Sequence, residues 1–441
     1  MGPHPGEYIE NPLRRDALDD TARPSSLVME STLDLARSMF AVTAGGHFLF
    51  VALTLGLATV VAVMQTRATI GGSAIHLRMT RFWGRLYVIN YAMGIVTGLV
   101  MEFQFGLNWS GLMHYTGSTF GAALAMETLL AFFLESTFLG LWIFGWGRLN
   151  RWVHLATIWV VALTAYASAY FILVSNGLMQ NPVGYAVVDG EMRLTDPVAV
   201  FTNPAALQAF GHVGSAALVV AGFLLAGVSA YHLRRRTSEQ EFFRRSLRIG
   251  VGLTLPGLVV VTGFGGVQFE IMQGMKGAVF GGDAAQVARY QEMMVAAHGP
   301  GDYVPPAGPV QAGGTVMLAL CAVMLLISLV SFVLMFFPAA VRGLRAWHVL
   351  LIAAVPLPYV AMLGGWVLRE IGRQPWVVYG RLTTAEALSD LTPGQVRVSF
   401  FGFTALFVAI VALNAWMLAR HARRGPEESV VTPVAVPVVS Y

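Results

Sequence analysis

Nine stretches of this chain are almost wholly apolar: 38–66, 83–106, 120–146, 152–176, 204–233, 247–268, 309–337, 347–371 and 399–419. Each is long enough to cross about 30 Å of hydrocarbon as an α-helix. Within a bilayer every backbone N–H and C=O needs a partner in the protein, and a helix supplies all of them from its own segment. The runs are too long and too uniformly apolar for strands. The expected fold class is all-α, a polytopic membrane bundle of about nine transmembrane helices. Only 12% of the residues are charged, about half the share of a soluble domain, so one embedded bundle is expected rather than several soluble domains. The formal charge of +4 sits in loops and gives no reason to expect a nucleic-acid partner. The single cysteine, Cys321, lies in an apolar run. That excludes an internal disulfide and any cysteine-rich iron–sulfur or zinc site.

Loop charge alternates along the chain. Arg67, Arg78 and Arg81 follow the first run, and Arg148 and Arg151 the third. Arg234, Arg235, Arg236, Arg244, Arg245 and Arg248 follow the fifth, Arg342 and Arg345 the seventh, and Arg420, Arg423 and Arg424 the ninth. The intervening loops are poor in base: 107–119 has none, and 179–202 sets Asp189, Glu191 and Asp196 against Arg193. The positive-inside rule then puts the N-terminus outside and the C-terminus inside. The expected divisions are a polar N-terminal extension at 1–37, the bundle at 38–422 and a flexible Pro/Val-rich tail at 423–441. The extension lacks the apolar core and cleavage site of a signal peptide. The longest outer loops, 269–308 and 372–398, are candidates for substrate docking.

The polar residues inside the runs carry the functional signal. Glu127 and Glu135 lie in the third run with no lysine or arginine nearby. A carboxylate at that depth is costly unless it is neutralised, paired or hydrated. In an α-helix their spacing is about 12 Å of rise and roughly 80° of rotation. Of the ten histidines, only His47 and His212 lie well inside runs, each roughly 15 Å from the outer end. His154, His232 and His348 sit at inner ends, and His76 and His114 in loops. Met317 lies at a depth similar to His47, and Glu370 almost at the outer end of the eighth run. Each has a bland reading: a histidine bonding across helices, a methionine as filler, a protonated glutamate as structural partner. Taken together, two histidines, a methionine and carboxylates in one half of the bilayer suit haem ligation and a proton relay. Ser136 and Thr137 beside Glu135, and Glu102 with Gln104, are further polar candidates. The Gly45-Gly46 pair before His47 suits either a flat macrocycle or another helix.

Five stretches carry a family resemblance: GGHFLFVALTLG (45–56), MEFQFGLNWS (101–110), AMETLLAFFLESTF (125–138), SNGLMQNP (175–182) and GRQPW (372–376). With them the chain resembles subunit I of cytochrome bd-type quinol oxidases. The resemblance implies a bacterial cytoplasmic-membrane enzyme that oxidises quinol and reduces O2 to water. It implies two b haems and one d haem, or a third b haem in its place. The implied partners are a homologous second large membrane subunit and, as a further candidate, a small single-span subunit. Residue by residue, it makes His212 and Met317 the axial pair of the low-spin b haem. His47 and Glu370 become ligands of the other two haems, with Arg373 and Trp366 as further cofactor-binding residues. Glu127 matches the glutamate near that haem pair, and Glu135 the one on the inner proton path.

The chain departs from the family pattern in the loop after the sixth run. Relatives carry a Gln-Pro-x-Lys-x-Ala-Ala-x-Glu-like quinol motif. Here QGMKGAVFG (273–281) supplies Gln273 and Lys276, but Gly281 stands at the glutamate position. Thr315 replaces an arginine usual two residues before the matched methionine. These departures point to a divergent oxidase, or a haem electron carrier, with a non-standard donor. The competing reading is a haem-free proton-coupled transporter, which predicts an internal repeat; none is evident.

Overall fold

A computed structural model describes residues 26–271 and 274–426, and among these nine helical segments are long and apolar enough to cross a membrane. They coincide with the nine apolar runs. The first two spans are α1 (Ser26–Gly71) and α2 (Ala74–Asn108). The third is composite: α3 (Ser110–Met126), a π-helical turn (Glu127–Phe132) and α4 (Phe133–Phe144). Then come α5 (Arg151–Gln180), α6 with α7 (Pro197–Phe201, Pro204–Arg235) and α8 (Gln240–Ile271). Two short helices, α9 (Met275–Gly281) and α10 (Ala284–His298), lead to α11 (Ala307–Leu334). After α12 (Pro338–Gly343), the eighth span is α13 with α14 (Arg345–Ala353, Leu357–Ile371). The short α15 (Thr384–Ala387) precedes the ninth span, α16 (Pro393–Arg424). α1 starts before the apolar run it contains, because Ser26 to Arg37 continue the helix beyond the apolar core.

Alternation of the spans puts every arginine-rich turn at one end of the bundle and the longer connections at the other. The loop-bearing end holds two small hairpins that hydropathy does not register. β1 (Tyr185–Val188) pairs antiparallel with β2 (Glu191–Leu194). The turn between them is Asp189-Gly190, both at positive φ, the Asp-Gly signature of a type I′ turn. β3 (Trp376–Val378) pairs with β4 (Leu382–Thr383). Sequence-coded caps fix the helix starts nearby. The Asn203 side chain accepts from the Ala205 N–H at 3.0 Å, with Pro204 in the first turn. Thr392 and Gln395 form a capping box ahead of α16.

The largest apolar core fills the arginine-rich half, around Leu57, Trp83, Leu139, Trp142, Phe223 and Phe243. Close helix contact depends on small residues. A Cβ on Gly56 would lie 2.1 Å from the Ala217 carbonyl oxygen, so α1 and α7 meet backbone to backbone there. At this end Arg78 of α2 pairs with Glu239, just before α8.

Candidate functional site

His47 lies on α1 and faces α2. Its Nδ1 is 2.9 Å from Thr97 Oγ1. That hydroxyl also lies 3.0 and 2.9 Å from the Met93 and Gly94 carbonyl oxygens. Its proton is engaged by those carbonyls, so it accepts from His47 Nδ1–H, and the Nε2 lone pair is left free. His212 on α7 reaches the same state by another route. Its Nδ1 is 3.1 Å from the Val261 carbonyl oxygen of α8, an acceptor only. An imidazole held through Nδ1–H is oriented to offer Nε2 to a metal. A glycine sits beside each ring: a Cβ on Gly98 would lie 3.3 Å from His47 Cε1, and one on Gly265 would lie 3.4 Å from His212 Cε1. Gly45 and Gly46 have a different task. They face Leu363 and Trp366 of α14 and Phe407 of α16, so the pair serves helix packing.

His47, His212, Met317, Trp366, Glu370, Arg373, Glu127 and Glu135 all line one cavity of about 1790 Å³. Pockets for a single small ligand run to roughly 1,000 Å³ at most, so this one has room for more than one macrocycle. Among the described residues no three His, Cys, Asp or Glu side chains converge as a metal cluster. Axial ligation, in which a macrocycle supplies the remaining donors, is the arrangement these isolated ligands suit.

The loop-bearing end of the cavity is strongly cationic. Glu370 at the end of α14 accepts from Asn176 Nδ2 through Oε1 (2.9 Å) and from Arg373 Nη2 through Oε2 (2.6 Å). Arg369 Nε donates to Asn176 Oδ1 at 2.9 Å, and its Nη1 to Gln268 at 3.2 Å. Lys276 on α9 donates to Gln180 Oε1 (2.7 Å) and to the Arg369 carbonyl (2.8 Å). Burial, reinforced by Arg369 and Arg373 against the opposing pull of Glu370, brings the Lys276 pKa down to about 7. Its amine is thus engaged by protein acceptors. Arg373 is only 6% exposed, yet its Nε and Nη1 have no partner. Two arginines against one carboxylate, with two buried guanidinium nitrogens left free, suit the carboxylate groups of a haem. Both oxygens of Glu370 keep a second lone pair, so an iron bond remains open to it. Gln273 lies outside the described residues, and a Cβ on Gly281 would face open space.

The third span resolves the question of the two glutamates. The π turn begins at Glu127 itself. A π turn absorbs one extra residue, turning everything beyond it back by roughly 100°. The roughly 80° expected from an unbroken α-helix shrinks to roughly 20°, and both carboxyls line the cavity. Glu127 accepts from Ser168 Oγ of α5 at 2.7 Å and from Thr128 Oγ1 at 3.2 Å. Glu135 is 5% exposed, and its Oε1 has no partner. Ser136 does not serve it: that hydroxyl donates to the Phe132 carbonyl at 2.9 Å. Glu102 lines the cavity from α2, whereas Gln104 is buried against Thr43 at 3.0 Å.

The family profile described as cytochrome bd terminal oxidase subunit I matches residues 35–294 and 270–426. The chain belongs to this family. Cytochrome bd ubiquinol oxidase subunit 1 of Bacillus subtilis (strain 168) is 34% identical, over 90% of this chain and 95% of its own length. Cytochrome bd-II ubiquinol oxidase subunit 1 of Escherichia coli (strain K12) is 31% identical, over 90% and 98%. The structure of bd oxidase from Geobacillus thermodenitrificans contains a chain that superposes with a TM-score of 0.79 at 25% identity, covering 90% of this chain and 99% of that one. Family membership and nine candidate spans make this bd-type subunit I a multi-pass membrane protein. They also displace the haem-free transporter reading.

Sequence reading missed several residues that build the site of this cytochrome bd subunit. Asn176 and Gln180 sit one helical turn apart in SNGLMQNP and were visible as polar residues closing an apolar run. Ser168 and Tyr91 carried no such mark, since single hydroxyls are common in spans.

Proposed function

We propose that this subunit oxidises a quinol and reduces O2 to water, taking the protons for that water from the arginine-rich, inner side of a bacterial cytoplasmic membrane. The observation that carries the reading is the cavity wall, where two imidazoles with free Nε2 atoms stand with a thioether and two aligned glutamates. Two quinols supply four electrons and release four protons outside; four protons taken from inside enter two waters. Haem, when bound, supplies the one-electron steps and the iron at which oxygen is reduced. His212 and Met317 would hold the low-spin b haem, since His/Met ligation favours a raised potential. His47 and Glu370 would hold the other two, a b haem and a d haem or a third b haem. Trp366 would pack against a macrocycle, and Arg373 would bind haem carboxylates. Glu135 and Glu127 would pass protons along one helix face toward the oxygen site. A homologous second large subunit, with a small single-span subunit as a further candidate, would cover part of the lipid-facing surface.

The donor is the point at which this chain diverges. Lys276 is engaged inside the protein, and Gly281 offers no carboxyl to receive a quinol proton, which favours a quinone other than the standard ubiquinone. Redox difference spectra of the purified complex, with oxygen uptake on ubiquinol and menaquinol analogues, test the reading. The expected result is low-spin and high-spin haem signals with faster uptake on one quinol class. Absence of haem would overturn it.

A further inference from the structure

We propose that the Tyr91 hydroxyl carries the proton between Glu135 and Glu127. The proposal rests on the reading that these two carboxyls relay protons. Along the helix, with the residue absorbed by the π turn discounted, they are roughly 10 Å apart, several times the reach of a hydrogen bond, so a relay needs a group between them. Tyr91 projects from α2 into the same cavity. Its phenol feels the charge of Glu135 most strongly and that of Glu127 as well. Tyr91 is 7% exposed, and its hydroxyl has no hydrogen-bond partner. Glu135 Oε1, on the facing helix, is likewise buried and without a partner. One turn along α2, the fully buried Tyr87 also has an unpartnered hydroxyl.

The bland alternative is that both tyrosines fill space; their rings pack at 5.8 Å. A phenylalanine would fill that space without the cost of burying a hydroxyl that lacks a partner. Two such hydroxyls one turn apart, with Glu135 also holding an unpaired carboxyl oxygen across the cavity, are more than packing alone would place. The transfer leaves no charge behind. A phenol takes a proton on its oxygen lone pair from the Glu135 side and gives up its own O–H proton toward Glu127. Rotation about the C–O bond then returns the O–H to its starting orientation.

The test is Tyr91→Phe in the whole complex, beside Glu135→Gln. We expect oxygen reduction to slow about 10-fold or more in Tyr91→Phe. Haem content and the redox difference spectrum should stay unchanged, and the solvent deuterium isotope effect on turnover should rise. Turnover within twofold of the parent and an unchanged isotope effect, while Glu135→Gln is slow, would overturn the proposal and leave the relay standing. Parent-like turnover in both variants would remove the relay and the proposal together. If Tyr91→Phe loses haem, infrared difference spectra of otherwise unaltered enzyme with labelled tyrosine decide the matter. A phenol band that shifts in Glu135→Gln supports the bridge, and one blind to that change overturns it.

Discussion

The five histidines that lie within the apolar runs divide between the two halves of the bundle. In the three of the arginine-rich half, Nε2 meets a backbone carbonyl: His154 that of Trp142 at 2.9 Å, His232 that of Ala422 at 2.7 Å, and His348 that of Val341 at 3.1 Å. His154 closes its network completely, because Nδ1 accepts from Gln65 Nε2 at 3.0 Å while Gln65 Oε1 takes the Trp142 N–H. In the other half His47 and His212 engage Nδ1 and turn Nε2 to a cavity. The first group spends Nε2 on the fold; the second leaves it open to a ligand. Depth in the membrane does not separate a ligand from a strut. Whether Nε2 is already engaged does.

The sharpest way to break this contrast is to remove one histidine from each side. His47→Ala, like Glu370→Ala, should lower oxygen reduction by about 100-fold or more and lose a high-spin haem, read by oxygen electrode and haem extraction. His154→Ala should leave haem per folded protein unchanged and lower stability by about 2–4 kcal/mol through its broken network. Equal haem loss in both would erase the distinction. His212→Ala or Met317→Leu should next remove the low-spin signal while the high-spin haems persist. Unchanged low-spin absorption in both variants would mean that the ligands lie elsewhere.

Carboxylates give a smaller contrast. Glu135→Gln should slow turnover about 10-fold with a near-normal haem spectrum, since the amide keeps the shape but cannot pass the proton. Glu239→Gln, which removes the partly exposed partner of Arg78, should change stability by no more than about 1 kcal/mol and leave turnover alone. The π turn makes an asymmetric prediction. Deleting the exposed Leu129 lets the segment close as an α-helix with both glutamates still on one face. Inserting one alanine there swings Glu135 away by roughly 100°. Turnover should survive the deletion within a few-fold and fall with the insertion; equal damage would rule out the π turn as the aligning element. The smallest effect is expected at Gly281, where there is room for a side chain. Gly281→Glu should lower KM for ubiquinol analogues several-fold without altering haem content, in steady-state oxygen uptake.

Much of the site could be read along the chain, because a polar residue in an apolar run is conspicuous wherever it points. His47, His212, Glu127, Glu135 and Met317 were found that way or by resemblance, and all reach one cavity. Rotation about the helix axis was not legible. The π turn changes no residue type, so a regular 3.6-residue period sets Glu135 on the wrong flank. The packing role of Gly45 and Gly46 was equally hidden, since a gap made for a helix and one made for a macrocycle look alike in sequence. Asp189-Gly190 is a hairpin-turn pair, but the loop reading took Asp189 only as charge, since a four-residue strand is invisible to a search tuned to spans.

The sequence by itself determined the nine helices, because hydrocarbon leaves the backbone no other way to satisfy its hydrogen bonds. It also set the sidedness expected of them, because arginine is costly to carry across a bilayer. Tertiary structure alone decided which histidine nitrogen is free, which cations surround Glu370 and which buried hydroxyl shares a cavity with the two glutamates. Those are relations between helices far apart in the chain: Glu370 and Asn176 are 194 residues apart, and His47 and Thr97 are 50 apart. Each depends on the rotation and depth at which two helices meet, and local composition fixes neither.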